Sequence, residues 1–123
     1  MSQLINTEEP IYSIYLSGKI TGDPHYLEKF AAVAHVLRVN HPNATVYDPA
    51  SEMLEISEML SRSDATEEQT HDILVAICLK AMEGYEAIAI MPDWQESKGA
   101  IAEVNFALRK GMKIIWVGED WLP

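Results

Sequence analysis

Glu103 is the residue of this sequence best placed to do chemistry, and the chemistry is that of a carboxylate facing a ligand. It stands on the border of an apolar stripe made by Ala100, Ile101, Val104, Ala107 and Leu108, whose spacing is that of one buried helical face. Gly99 lies one turn before it and Ala107 one turn after, so small side chains leave room above the carboxylate. No cation stands three or four residues away to pair with it. The helical pattern leaves two readings open, a site acid and an ordinary surface glutamate.

Four further groups invite a chemical reading. Ser17–Asp23, SGKITGD, puts two glycines and a lysine between a strand and a helix, where backbone N–H groups can hold an anion. It has neither the Walker spacing nor GxGxxG, and a plain strand-to-helix turn explains it equally. Tyr15 ends the first strand, either as a core aromatic or with its hydroxyl reaching out to orient a carboxylate. Trp94, in a polar loop, either stacks on a base or packs on the sheet rim. Ser17, Lys19 and Ser97 lack the fixed partners of a nucleophile. The four histidines show no metal-ligand spacing, so no metal or cofactor is implied; His71-Asp72 reads as helix surface and Cys78 as a small core residue.

The elements that must position these groups alternate. Ile11–Leu16 is a strand apolar enough for burial on both faces. A helix follows, capped by Asp23 with Pro24 in its first turn. Ala44–Tyr47 is a second strand, Glu52–Leu60 a short acidic helix, and Ser61–Ala65 a mobile loop. Thr66 and Gln69 have capping-box spacing for a helix that runs to about Glu83. Tyr85–Met91 is the third strand, closed by Pro92. Ser97 and Gly111 bracket the last long helix, and Lys113–Val117 is the fourth strand. Strands alternating with helices predict a three-layer α/β/α domain with a parallel sheet of order 2-1-3-4. Ligands of such sheets bind beyond the strand carboxyl ends, so Ser17–Asp23 and Pro92–Ser97 converge on one crevice.

Composition narrows the partners. The chain of 123 residues makes one domain, over residues 11–123, behind a flexible stretch at 1–10. Nineteen acids against nine lysines and arginines give a net charge of −10, which argues against a nucleic-acid backbone but not against a small phosphorylated ligand. Cys78 is the lone cysteine, so no intramolecular disulfide forms; with no signal peptide this points to the cytoplasm. No apolar run has the length of a membrane span.

Ile14–Gly22 together with Ser97–Glu103 resembles the nucleoside 2-deoxyribosyltransferase superfamily, which includes the 2′-deoxynucleoside 5′-phosphate N-hydrolases. It is also similar to a domain-of-unknown-function group of small phage and bacterial proteins with the same SGxITG and WxxSxGAxxE signatures. The resemblance runs from about Tyr12 to Val117. It implies a flavodoxin-like (Rossmann-like) sheet, a nucleotide or nucleoside pocket, assembly into homodimers or larger homo-oligomers, and chemistry at the N-glycosidic bond. In that likeness Glu103 is the nucleophile, Tyr15 orients it, Ser97 holds a 5′-phosphate, and Gly18 and Gly22 are the glycines of the first loop. Ser17, Lys19, Ile20, Trp94 and Gly99 complete the implied binding set. Lys19 and Thr21 depart from the hydrolases' pattern. The acid that protonates the leaving base has no settled position: Cys78 occupies the gapless place, and Asp72 and Asp93 are the acids nearby. The function implied is an N-glycosidase acting on a nucleoside 5′-monophosphate. Base exchange between deoxynucleosides and a nucleotide-binding module without turnover are the alternatives.

Overall fold

The architecture follows from a strand that has no polar face. A computed structural model describes residues 10–123, so most of the flexible stretch expected at 1–10 lies outside the described residues. Strand β1 (Ser13–Ser17) is buried from Ile14 onward and lies inside a four-stranded sheet. With β2 (Thr45–Tyr47), β3 (Ala87–Ile90) and β4 (Lys113–Trp116) it forms the order β2-β1-β3-β4, all parallel. This is the expected 2-1-3-4 sheet. Parallel neighbours need long crossovers, which the helices supply.

Strand periodicity sorts the core into two layers. Ile14 and Leu16 face helix α1 (Tyr26–Asn40), packing with Phe30, Val33, Ala34 and Leu37. Tyr15 faces the other way, with Ile88 and Ile90, toward helices α4 (Glu67–Met82) and α5 (Lys98–Lys110). That second face carries the site.

Several local expectations change. The helix expected over Glu52–Leu60 begins earlier and breaks in two, α2 (Pro49–Glu52) and α3 (Leu54–Ser61). Asp48 starts α2 because its side chain accepts from the N–H groups of Ala50 and Ser51, with Pro49 at the first helical position. Asp23 does not cap α1: the chain turns once more at Pro24, so His25 precedes the helix and Asp23 accepts its N–H at 2.9 Å. Thr66 and Gln69 do form the capping box of α4, and Ser97 caps α5. No helix among the described residues is long and apolar enough to cross a membrane.

Candidate functional site

Tyr15 and Ser17 are two apart on β1, so both side chains leave the same sheet face. Helix α5 crosses that face and turns Glu103 into it. The Tyr15 hydroxyl donates to Glu103 Oε2 at 2.5 Å, and the Ser17 hydroxyl donates to Oε1 at 2.6 Å. Glu103 is therefore not a surface residue: it is 7% exposed, and Tyr15 and Ser17 are fully buried. No cation stands three or four residues away on its helix, and it is held by hydroxyls instead. Burial drives its carboxyl up from 4.5 to about 7, against the opposing pull of the Ser17 and Tyr15 hydrogen bonds. Burial and the nearby Glu103 charge push the Tyr15 phenol well above its usual range, so it keeps its proton and donates. Tyr47 stacks on Tyr15 with ring centroids 5.3 Å apart, and Tyr85 meets both rings edge-on. The ring is fixed from behind.

Glu103 forms part of the lining of a cleft with about 650 Å³ of free space, counted out to its open mouth. One wall is the loop after β1, through Gly18, Ile20 and Thr21; another is Ser97, Gly99 and Ala100 of α5. Met53, Leu54 and Ser57 of the α2–α3 segment and His71, Leu74, Val75 and Cys78 of α4 complete it. The cleft lies beyond the carboxyl ends of β1 and β3, where open parallel sheets take ligands.

Glycine is required where the first loop leaves the sheet. A β-carbon on Gly18 would come within 2.7 Å of the sulfur of Met91, which is fully buried. Gly22 has a φ of +87°, which shapes the turn before α1, and it does not line the cleft.

The remaining sequence candidates are placed as follows. Ser97 lines the cleft while its hydroxyl accepts from Ala100 N–H at 3.1 Å. The Lys19 ammonium turns to Glu96 at 3.4 Å and stays out of the cleft lining. Trp94 packs against the core beneath α5 and is absent from the cleft wall. Asp93 is spoken for: its carboxylate accepts from Lys29 Nζ at 2.6 Å and from Lys19 N–H at 3.1 Å. Asp72 points outward, its side chain 75% exposed.

Two residues read as bland in sequence face the cleft. His71 and Cys78 fall on one stripe of α4 with Leu74 and Val75, the i, i+3, i+4, i+7 pattern of a single helical face. That spacing was the available signal. The Cys78 thiol is pushed up to about 11, first by burial and then by Glu103, so it stays protonated beside the carboxylate.

The sequence model of a family described as a domain of unknown function, DUF4406, matches residues 12–116, which hold every group named above. The chain belongs to that family. No curated protein and no solved structure matches it. Within this DUF4406 domain, the geometry joins a buried carboxylate, two hydroxyl donors and an open cleft. Among the described residues no group of three His, Cys, Asp or Glu is placed to hold a metal ion.

Proposed function

We propose that this domain cleaves the N-glycosidic bond of a nucleoside 5′-monophosphate, with Glu103 as nucleophile. The observation that carries the reading is the buried Glu103 carboxylate held by Tyr15 and Ser17 on an open cleft. Each carboxylate oxygen accepts one hydroxyl and keeps a lone pair, so either can attack C1′ without losing its donor. The hydroxyls fix the attack direction, and burial strips the carboxylate of water; both favour a nucleophile. The step has the logic of a retaining glycosidase: a glycosyl ester forms on Glu103 and water resolves it.

The likeness of the Ile14–Gly22 and Ser97–Glu103 motifs to the nucleoside deoxyribosyltransferase superfamily supports the same reading. Ser97 and the first-turn N–H groups of α5 then receive the 5′-phosphate, since a helix N-terminus favours an anion even on a chain of charge −10. The reading carries with it a cytoplasmic homodimer or larger assembly.

The test is incubation with a panel of nucleosides and their 5′-monophosphates, with mass spectrometry for free base. Base release from a monophosphate, abolished by Glu103→Ala, is expected. No release from any member overturns the proposal. Transfer of the sugar to an added second base, without release in water, moves the activity to base exchange.

A further inference from the structure

A glycosidic bond to an ordinary base breaks slowly unless the departing nitrogen gains a proton, and the two acids nearest in sequence are badly placed to give one. Asp93 is locked to Lys29, and Asp72 points to solvent. Besides Glu103, the titratable side chains lining the cleft are Tyr26, His71 and Cys78. Tyr26 packs its ring against the core on the α1 side of the sheet. Cys78 borders the nucleophile itself and is a reluctant acid.

His71 is different. Its Nε2 stands against Gly99, close enough that a β-carbon there would lie 3.8 Å away. Gly99 is one helical turn before Glu103, roughly 6 Å along the axis of α5. His71 Nε2 and the Glu103 carboxylate thus line the same cleft from α4 and α5. The imidazole is 37% exposed, so it meets both cleft and water, and its Nδ1 lies 3.8 Å from Asp72 Oδ1, a carboxylate behind the ring.

Resting on the N-glycosidase reading above, we propose that His71 is the general acid that protonates the departing base. A Glu103 oxygen bonds to C1′ as the C1′–N bond breaks. Its electron pair goes to the base nitrogen, which takes the proton from His71 Nε2. The neutral imidazole then takes a proton from water as the water oxygen bonds to C1′. The ester bond breaks, restoring the Glu103 carboxylate and the protonated His71. The products are free base and the sugar phosphate.

The leaving group tests this. A general acid is worth roughly 100- to 10,000-fold for a leaving group that needs a proton, whereas a 4-nitrophenolate needs none. His71→Asn and His71→Gln, each verified as folded by circular dichroism, are assayed on a nucleotide and on 4-nitrophenyl 2-deoxyriboside 5′-phosphate. The expected result is a loss in kcat/KM of at least about 100-fold on the nucleotide and less than about 10-fold on the aryl substrate. Equal losses on both substrates overturn the assignment and leave Glu103 in place, as does a loss that disappears when both substrates lack the phosphate. No turnover of either substrate by the unaltered protein overturns the glycosidase reading and this assignment with it.

Discussion

At the scale of residues, Glu103 couples stability to activity through one proton. Its folded-state carboxyl stands at about 7 where an exposed glutamate stands at 4.5. Between those values the folded chain holds a proton that the unfolded chain has released, so stability falls as pH rises from 4.5 to 7 and then levels off. At about 1.4 kcal/mol per pH unit, the ionised carboxylate costs the fold about 3 kcal/mol near pH 8. Glu103→Gln should therefore be more stable than the unaltered protein by about that much near pH 8, and by far less near pH 5, as denaturant titrations at the two pH values would show. An equal difference at both would contradict the burial account. On the 4-nitrophenyl substrate, which needs no general acid, the rate should depend on pH in the opposite sense, because attack needs the carboxylate: it should climb with pH through a midpoint of about 7. Tyr15→Phe removes a hydrogen bond to the charged form, worth roughly 1.5–3 kcal/mol. The midpoint of the rate profile should move up by roughly one to two pH units; an unmoved midpoint would detach Tyr15 from the ionisation of Glu103. In sequence, Glu103 and Tyr15 were legible through their motifs and through the small residues around the glutamate. The place of Ser17 followed from being two residues from Tyr15 on a strand, a relation hidden while Ser17 was read as part of the loop. Taken one at a time, His71 and Cys78 look like helix surface and small core residue, and only as members of one α4 stripe do they point to the cleft.

At the scale of elements, the site depends on how two loops are braced. Lys29, on α1, is 8% exposed and donates to Asp23 Oδ2 at 2.6 Å, to Asp93 Oδ2 at 2.6 Å and to the Lys19 carbonyl at 2.7 Å. One ammonium thus ties the loop after β1 to the loop after β3, and it holds the Asp23 carboxyl below its usual range. Lys29→Met leaves two carboxylates facing each other without a cation. The expected loss is roughly 3 kcal/mol in thermal or denaturant unfolding, the low end for a broken buried pair because both carboxylates keep a side in water. No change in stability would show the brace to be redundant. Gly99→Ala should act the other way. The added methyl finds ordinary contacts, 3.6 Å to Val75 and 3.8 Å to His71 and Ser97, and alanine favours a helix over glycine by roughly 0.5–1 kcal/mol. The variant should melt higher yet bind nucleotide more weakly, because that methyl occupies the gap between His71 and Ser97. Calorimetry on the two proteins checks both halves, and unchanged affinity would place the ligand elsewhere. The strands, the capping box and the Ser97 cap were readable because each rests on local spacing. The Lys29 brace was not, since its partners come from positions 19, 23 and 93 and only the folded sheet brings them together. The early start of α2 is harder to see in sequence, because Asp48-Pro49 closes a strand and opens a helix at once.

At the scale of the whole molecule, the sheet order was legible because one strand, Ile14–Leu16, has no polar face and must be covered on both sides. Where copies of the chain would meet was less so, because exposed apolar residues appear on several surfaces, Leu27 and Val39 of α1 and Leu108 of α5 among them. On α3 and α4, Leu54, Met59 and Ile73 are 38%, 61% and 41% exposed. On the β4 edge, Ile114 and Trp116 are 37% and 62% exposed. The proposed homodimer is expected on the α3–α4 surface, because these helices also wall the cleft, and a second copy seated there would shield the ionising carboxylate from water. That surface is acidic, with Glu55 and Glu58 on α3 and Glu67, Glu68 and Asp72 on α4, in a chain of net charge −10. Like charges would then face each other across the dimer, so added salt should tighten it by screening them, over a Debye length of about 10 Å at 0.1 M and about 3 Å at 1 M. Light scattering at micromolar concentration should report a dimer whose dissociation constant falls as sodium chloride is raised. Met59→Lys with Ile73→Lys should give a monomer, while Trp116→Lys should leave the dimer intact. A monomer at every salt concentration would remove the assembly altogether. A dimer lost on Trp116→Lys but kept in the double variant would move it to the β4 edge, leaving the cleft open to solvent in each copy.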